Sequence, residues 1–174
     1  MGIYEALMSA GYEKEIDWSE NLSSCQSGEQ FLQEYTWVVL NSGMKNQVAR
    51  KIYERINRAL SEGISISTVF NHKGKLKAII DMNRDYDEVF KKYLKAKNKL
   101  KFLESLPYIG KITKYHLAKN LGMDMCKPDR HLVRIASQYG TTPLELCKKL
   151  SKATGLRIST VDVVIWRAAN LRII

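Results

Sequence analysis

The sequence predicts an all-α fold, and three observations carry that expectation. Apolar residues recur at helical spacing in one segment after another. Capping residues, proline and glycine punctuate those segments. Strand-like alternation is confined to Ile64-Ser65-Ile66-Ser67, and four residues without a partner lead more readily into a short helix than into a sheet.

Taken in order, Ser27-Gly28-Glu29-Gln30 reads as an N-cap with Gln at the third helical position. Phe31, Tyr35, Val38 and Val39 then keep one helical face until Asn41-Ser42-Gly43. The next helix starts near Asn46, and its stripe of Val48, Ile52, Ile56 and Leu60 stops at Gly63. Gly74 reads as a break. Beyond it, Leu76 to Met82 and Asp85 to Ala96 look like two helices, the second opened by Asp85, Asp87 and Glu88, whose charges suit the positive end of a helix dipole. Thr142-Pro143-Leu144-Glu145 supplies a cap and then proline at the first helical position, for a helix running to about Ala153 before Gly155. Ser159-Thr160-Val161-Asp162 starts the last helix, with Val163, Val164, Ile165 and Trp166 mostly core.

The 174 residues, 45% of them hydrophobic, suit one compact domain or two small lobes sharing a core. No apolar run approaches the roughly 20 residues that span a bilayer, and Met1-Gly2-Ile3-Tyr4-Glu5 does not open a signal peptide. The expectation is a cytoplasmic protein without a membrane partner. Cys25, Cys126 and Cys147 are too far apart in the chain for a CxxC pair and are expected to be buried reduced thiols, and His72, His116 and His131 show no metal-ligand spacing. No metal site is expected.

Lys and Arg number 28 against 18 Asp and Glu, a net charge of +10. That figure is a difference between regions: residues 1–36 carry seven acidic side chains and one lysine. Residues 91–120 hold Lys91, Lys92, Lys95, Lys97, Lys99, Lys101, Lys111, Lys114 and Lys119 against Glu104. Such a run is either a solvated helix face or a surface that displaces counterions from a polyphosphate backbone.

Leu100 to Gly122 spaces two short helices around Pro107-Tyr108-Ile109-Gly110. Pro107 ends the first, and Gly110 permits a tight turn and close approach of a partner. The second helix would then open with free N–H groups from about Ile109 to Ile112, an anion site beside Lys111 and Lys114. Farther on stands Pro128-Asp129-Arg130-His131-Leu132-Val133-Arg134.

Leu-Pro-x-Ile-Gly-x-x-Thr, a helix ending in Leu-Gly, and then Asp-x-His-Leu-x-Arg together resemble the helix-hairpin-helix DNA glycosylase superfamily; the match covers residues 100–135. The resemblance implies a two-lobed helical fold with the active-site cleft between the lobes. Residues 29–124 would form a barrel ending in the hairpin at about 100–121, and residues 1–28 with 125–174 the second lobe. It also implies duplex DNA containing a damaged or mismatched base as the partner, a nucleoid-associated location and a monomeric protein. No cofactor is implied, apart from a candidate monovalent cation on hairpin carbonyls.

Asp129 would be the catalytic carboxylate, stabilising the oxocarbenium-like transition state and positioning water; it also suits the plain role of N-cap. Tyr108, Ile109, Gly110, Lys111, Ile112 and Lys114 would contact the DNA backbone. Bifunctional members carry a Schiff-base lysine where this chain has Ile112, which implies a monofunctional, water-using enzyme. Tyr108 replaces the usual first hairpin glycine and makes the loop less permissive. Met44, Lys45 and Asn46, in the turn 41–47, are candidates for the wedge that replaces an extruded base, although a plain loop fits equally; Arg50 could reach the estranged base or a phosphate. His131 would support the Asp129 loop, and Arg134 would pair locally or touch phosphate. Trp18, Trp37 and Trp166 fit core positions as well as base stacking. Two other readings stay open: a non-catalytic helix-hairpin-helix DNA-binding protein, and a glycosylase/AP lyase using Lys111 or Lys114.

Overall fold

In the computed structural model, which describes residues 2–174, the chain forms ten α-helices and one short 3-10 turn, with no strand among the described residues. It divides into two compact units. One comprises residues 25–117; the other joins the residues up to Ser24 to residues 118–174. The limits of 29 and 124 expected from the sequence each lie a few residues later in the chain.

In the unit of residues 25–117, Ser27 Oγ accepts from Gln30 N at 3.1 Å and starts α3 (Gly28–Asn41), after α1 (Ile3–Ser9) and α2 (Glu13–Glu20) of the other unit. Gln30 Oε1 reaches past the cap to the N–H of Gln26, at 3.0 Å. α3 buries Phe31, Tyr35, Val38, Val39 and Leu40, more than one face, because α4 (Asn46–Ser61) and α5 (Lys73–Lys95) both pack on it. A Cβ on Gly28 would stand 2.6 Å from Asp87 Oδ1 and 2.8 Å from the Tyr86 ring, so α3 and α5 meet over bare backbone. The α4 stripe begins one residue later than its sequence suggests: Ala49, Ile56 and Ala59 are buried, whereas Val48 is exposed.

The two helices expected after Gly74 are one. Leu76, Ile79, Met82, Phe90 and Tyr93 form one buried line along α5, and the charges at its middle pair along the helix (Lys77 with Asp81 at 2.6 Å, Lys92 with Glu88 at 2.7 Å) instead of opening a new one. Gly74 does not break the chain. It lies in the first turn of α5, where a Cβ would stand 1.8 Å from the Tyr108 hydroxyl. The expected short helix after Gly63 is the 3-10 turn Ile66–Thr68.

The other unit is arranged around α10 (Ile158–Asn170), against which α2, α9 (Pro143–Thr154), α1 and α8 (Arg130–Gln138) pack. α9 opens with a Thr142–Glu145 capping box and ends at Gly155 with φ of 77°. Leu7 and Ile16 bury themselves against Ala168. α10 departs from expectation: Val163, Val164 and Trp166 are half-buried, and Asp162 is 2% exposed. The Asp162 carboxylate accepts from Lys119 Nζ and, at 2.8 Å, from Lys127 N. Arg157 caps α10 and donates to the carbonyls of Ser19, Leu22 and Gly122 at 3.3, 2.7 and 2.9 Å. All three cysteines are buried free thiols.

Gly122 adopts φ of 90°, and a Cβ there would lie 2.4 Å from the Ser23 carbonyl oxygen. Gly122→Ala is expected to cost at least about 1–2 kcal/mol from the left-handed backbone alone. A thermal melt should show this as a drop of several degrees; an unchanged Tm would contradict the close approach.

Candidate functional site

α6 (Lys99–Glu104) is capped by Asn98 Oδ1, which accepts from Lys101 N at 2.9 Å, and α7 (Thr113–Asn120) follows after the eight intervening residues 105–112. Between them, Tyr108 takes the left-handed backbone, φ of 61°, where the resemblance implies a glycine. Three features of the surroundings hold this strained residue in place. The fully buried Tyr35 donates its hydroxyl to the Pro107 carbonyl at 2.8 Å, Gly74 leaves room for the Tyr108 hydroxyl, and the His72 ring meets the Tyr108 ring edge-on at 6.0 Å. Burial pushes the Tyr35 phenol well above its ordinary pKa, so it stays a donor.

The hairpin corrects two expectations. Gly110 does not need its conformational freedom for the turn, because the positive φ belongs to Tyr108; space around a Cβ at Gly110 is open except for Thr113 Oγ1 at 3.9 Å. Nor are all four N–H groups free. Ile109 N donates to Leu106 O at 3.1 Å and Gly110 N to Thr113 Oγ1 at 2.7 Å, which leaves those of Lys111 and Ile112 without a partner among the described residues. Lys111 and Ile112 are exposed, whereas Lys114 is bound to Glu104 at 2.5 Å, a bond that raises its pKa. The chemistry offered here is an anion site of two N–H groups and one free ammonium.

In the other unit, the loop after α7 carries Cys126, Lys127, Pro128 and Asp129. Asp129 is the N-cap of α8, and its Oδ1 accepts from His131 N at 3.0 Å and Leu132 N at 3.2 Å. Its Oδ2 faces Lys127 Nζ at 4.0 Å. The loop is locked at both ends of Lys127, whose N–H donates to Asp162 and whose carbonyl accepts from Asp129 N at 2.7 Å. Burial pulls the Lys127 ammonium below the usual lysine range; Lys119 adds to the shift, and Asp129 and Asp162 oppose it. One carboxylate oxygen is thus fixed by backbone, and the other stands beside a largely buried amine.

Met44 and Lys45 lie in the turn from α3 to α4, with Gly43 at φ of 70°, and Asn46 is the first residue of α4. Lys75 is 6% exposed and donates to the carbonyls of Leu40 and Ser42 at 3.1 and 2.6 Å, which closes the end of α3 just before that turn. Arg50 lies over the Trp37 ring at 5.4 Å. His131 touches the Asp129 carboxylate through its backbone N–H, while its ring takes a 3.4 Å bond from Arg130. Arg134 is exposed, as is Trp18; Trp37 and Trp166 are half-buried. Sequence reasoning missed Lys75, Lys127 and Asp162. Lys127 stood two positions before Asp129, a proximity that could have marked it; the burial of the other two is a property of packing alone.

Comparison with protein-family models gives no match, and comparison with curated proteins gives none either. Among solved structures, the fold is similar to that of the Methanocaldococcus jannaschii 8-oxoguanine glycosylase/lyase in complex with a 15mer DNA containing 8-oxoguanine. The TM-score is 0.68 at 17% sequence identity, over 94% of this chain and 93% of that one. The two proteins therefore share their helical fold along nearly their whole lengths.

Proposed function

We propose that the protein is a DNA repair glycosylase that releases a damaged or mismatched base from duplex DNA. The observation that carries this reading is the Asp129 carboxylate, anchored through Oδ1 at the start of α8 with Oδ2 left for chemistry, in a chain folded like a glycosylase. No helix among the described residues is long and apolar enough to cross a membrane.

In this scheme the exposed Lys91, Lys95, Lys97, Lys101 and Lys111 attract the duplex, and the N–H groups of Lys111 and Ile112 take a phosphate. Met44, Lys45 or Asn46 fills the space of the extruded base, and Arg50 approaches the estranged partner or its phosphate. As the glycosidic bond lengthens, positive charge grows on the sugar; Asp129 Oδ2 stabilises it and orients the incoming water. Ile112 cannot form an imine, so base release is hydrolytic and the hairpin is that of a monofunctional enzyme. No redox cofactor enters the scheme. A monovalent cation on the hairpin carbonyls rests on the family resemblance alone.

The first duplex to test carries 8-oxoguanine, the lesion in the DNA of the M. jannaschii complex, followed by deaminated, alkylated and mismatched bases. Asparagine is as good a helix cap as aspartate, so Asp129→Asn keeps α8 while removing the charge. Base release, read after alkaline strand cleavage, is expected to fall about 10²-fold or more, with duplex affinity within a few-fold. Wild-type protein that binds every lesion duplex tightly and releases no base would instead be a non-catalytic binding protein.

The ion pair at Lys114 sharpens a second expectation. In a plot of log affinity against log salt, Lys111→Ala should lower the slope by about 1, the signature of one lost phosphate contact. Lys114→Ala should leave the slope unchanged. Equal changes for the two variants would mean that Lys114 leaves Glu104 to meet DNA.

A further inference from the structure

We propose that the cleft between the end of α4 and the 3-10 turn that follows it binds a nucleoside monophosphate, apart from the segments given to DNA above. The cleft lies wholly in the unit of residues 25–117, and its volume of about 370 Å³ falls within the roughly 300–1,000 Å³ of small-molecule sites. Arg55 and Arg58, which line it, stand nine and twelve residues beyond Asn46. At about 1.5 Å of rise per residue they lie roughly 14 and 18 Å along the helix from the candidate wedge turn. The cleft is therefore a separate place on the molecule.

Its walls are fixed before any ligand arrives. Ile66, 3% exposed, anchors the 3-10 turn, and Ile64 N donates to the Ala59 carbonyl at 2.8 Å, which holds the approach to that turn against α4. Arg55 and Arg58 stand one turn apart on the same face of α4. Glu54 and Glu62 are each four residues from Arg58, the spacing at which Lys77 pairs with Asp81 and Lys92 with Glu88 on α5. The side chains of Arg55 and Arg58 nevertheless make no ion pair or hydrogen bond among the described residues. Two guanidinium charges thus remain available at the cleft.

The lining selects the ligand. Two guanidinium groups bring two charges and about ten N–H donors, more than one carboxylate can use. They match a phosphate monoester, with its charge of about −1.5 to −2 at pH 7 and three acceptor oxygens. The remaining polar groups ask for a body that donates. Glu62 as a carboxylate only accepts, and the Thr68 hydroxyl already gives its proton to the Ser65 carbonyl at 2.8 Å, so both take hydrogen bonds from a ligand. Ile64, 47% exposed, and Val69 offer apolar surface to a flat ring. A phosphate joined to a hydroxyl-bearing sugar and a planar base supplies each of these partners. A nucleoside alone leaves the arginines unpaired, and a bare phosphate meets the Glu62 charge with no donor to offset the repulsion.

The test is titration calorimetry of the full chain, without DNA, against the four ribonucleoside 5′-monophosphates, the corresponding nucleosides and inorganic phosphate. At least one monophosphate should bind at one site per chain, about tenfold or more tightly than its nucleoside or phosphate alone. Arg55→Ala and Arg58→Ala, each checked for an unchanged melt, should weaken that binding about tenfold or more. Lys77→Ala removes the same charge from α5, outside the cleft and the DNA-binding segments, and should leave it unchanged. Glu62→Ala should weaken the monophosphate while inorganic phosphate binds no worse. The proposal is overturned if none of the monophosphates binds saturably, if binding survives both arginine variants, or if inorganic phosphate binds as tightly as any monophosphate, which would make the cleft a plain anion site. No monophosphate binding, together with a fall of about 1 in the salt slope of duplex affinity for each arginine variant, would overturn it in favour of a further DNA-backbone contact. Because DNA is absent from the titration, its outcome is separate from that of the glycosylase assays.

Discussion

A carboxylate buried as deeply as Asp162 has lost its water, and that loss costs several kcal/mol unless other polar groups take the place of the solvent. Here they are the Lys119 ammonium and the Lys127 N–H. Because Lys127 in turn receives the Asp129 N–H, and Asp129 caps α8, the position of the proposed reacting carboxylate is inherited from α10 through consecutive hydrogen bonds. Lys119 ties the end of α7 to the same point. Removing one member would leave a buried charge without its partner, which is far more damaging than losing an exposed ion pair such as Lys92 with Glu88.

The unit of residues 25–117 solves a similar problem with other groups. Its candidate functional segments are loops, and each is held by a polar side chain reaching from a packed helix to a backbone carbonyl. Tyr35 holds Pro107 before the hairpin turn, and Lys75 holds Leu40 and Ser42 before the candidate wedge turn. Gly74 contributes by absence, leaving a place for the Tyr108 hydroxyl. That docking explains how a tyrosine can occupy a backbone conformation that costs an L-residue roughly 1–2 kcal/mol: the surrounding contacts hold it there.

Local signals in the sequence were legible wherever the cause was itself local. Ser27 and Thr142 mark their helix starts because the hydrogen bonds they make lie within three residues, and Gly155 marks an end for the same reason. Asp85, Asp87 and Glu88 misled because acidic residues favour a helix start and also pair with lysines inside a helix; only the unbroken apolar line of α5 decides between the two. The hairpin could be placed by its Pro and Gly, but not the number of its free N–H groups, since those depend on where Thr113 and Leu106 turn.

The all-α class, the position of the hairpin, the basic run and the cap at Asp129 follow from residue order alone, because helix periodicity and capping act over a few positions. The tertiary structure decided which charges remain available. It commits Lys114 to Glu104 and Lys119 to Asp162, leaves Lys111 exposed, and sets a partly desolvated Lys127 beside Asp129. Such pairings join residues brought together by folding, and burial, which no spacing reveals, sets their strength.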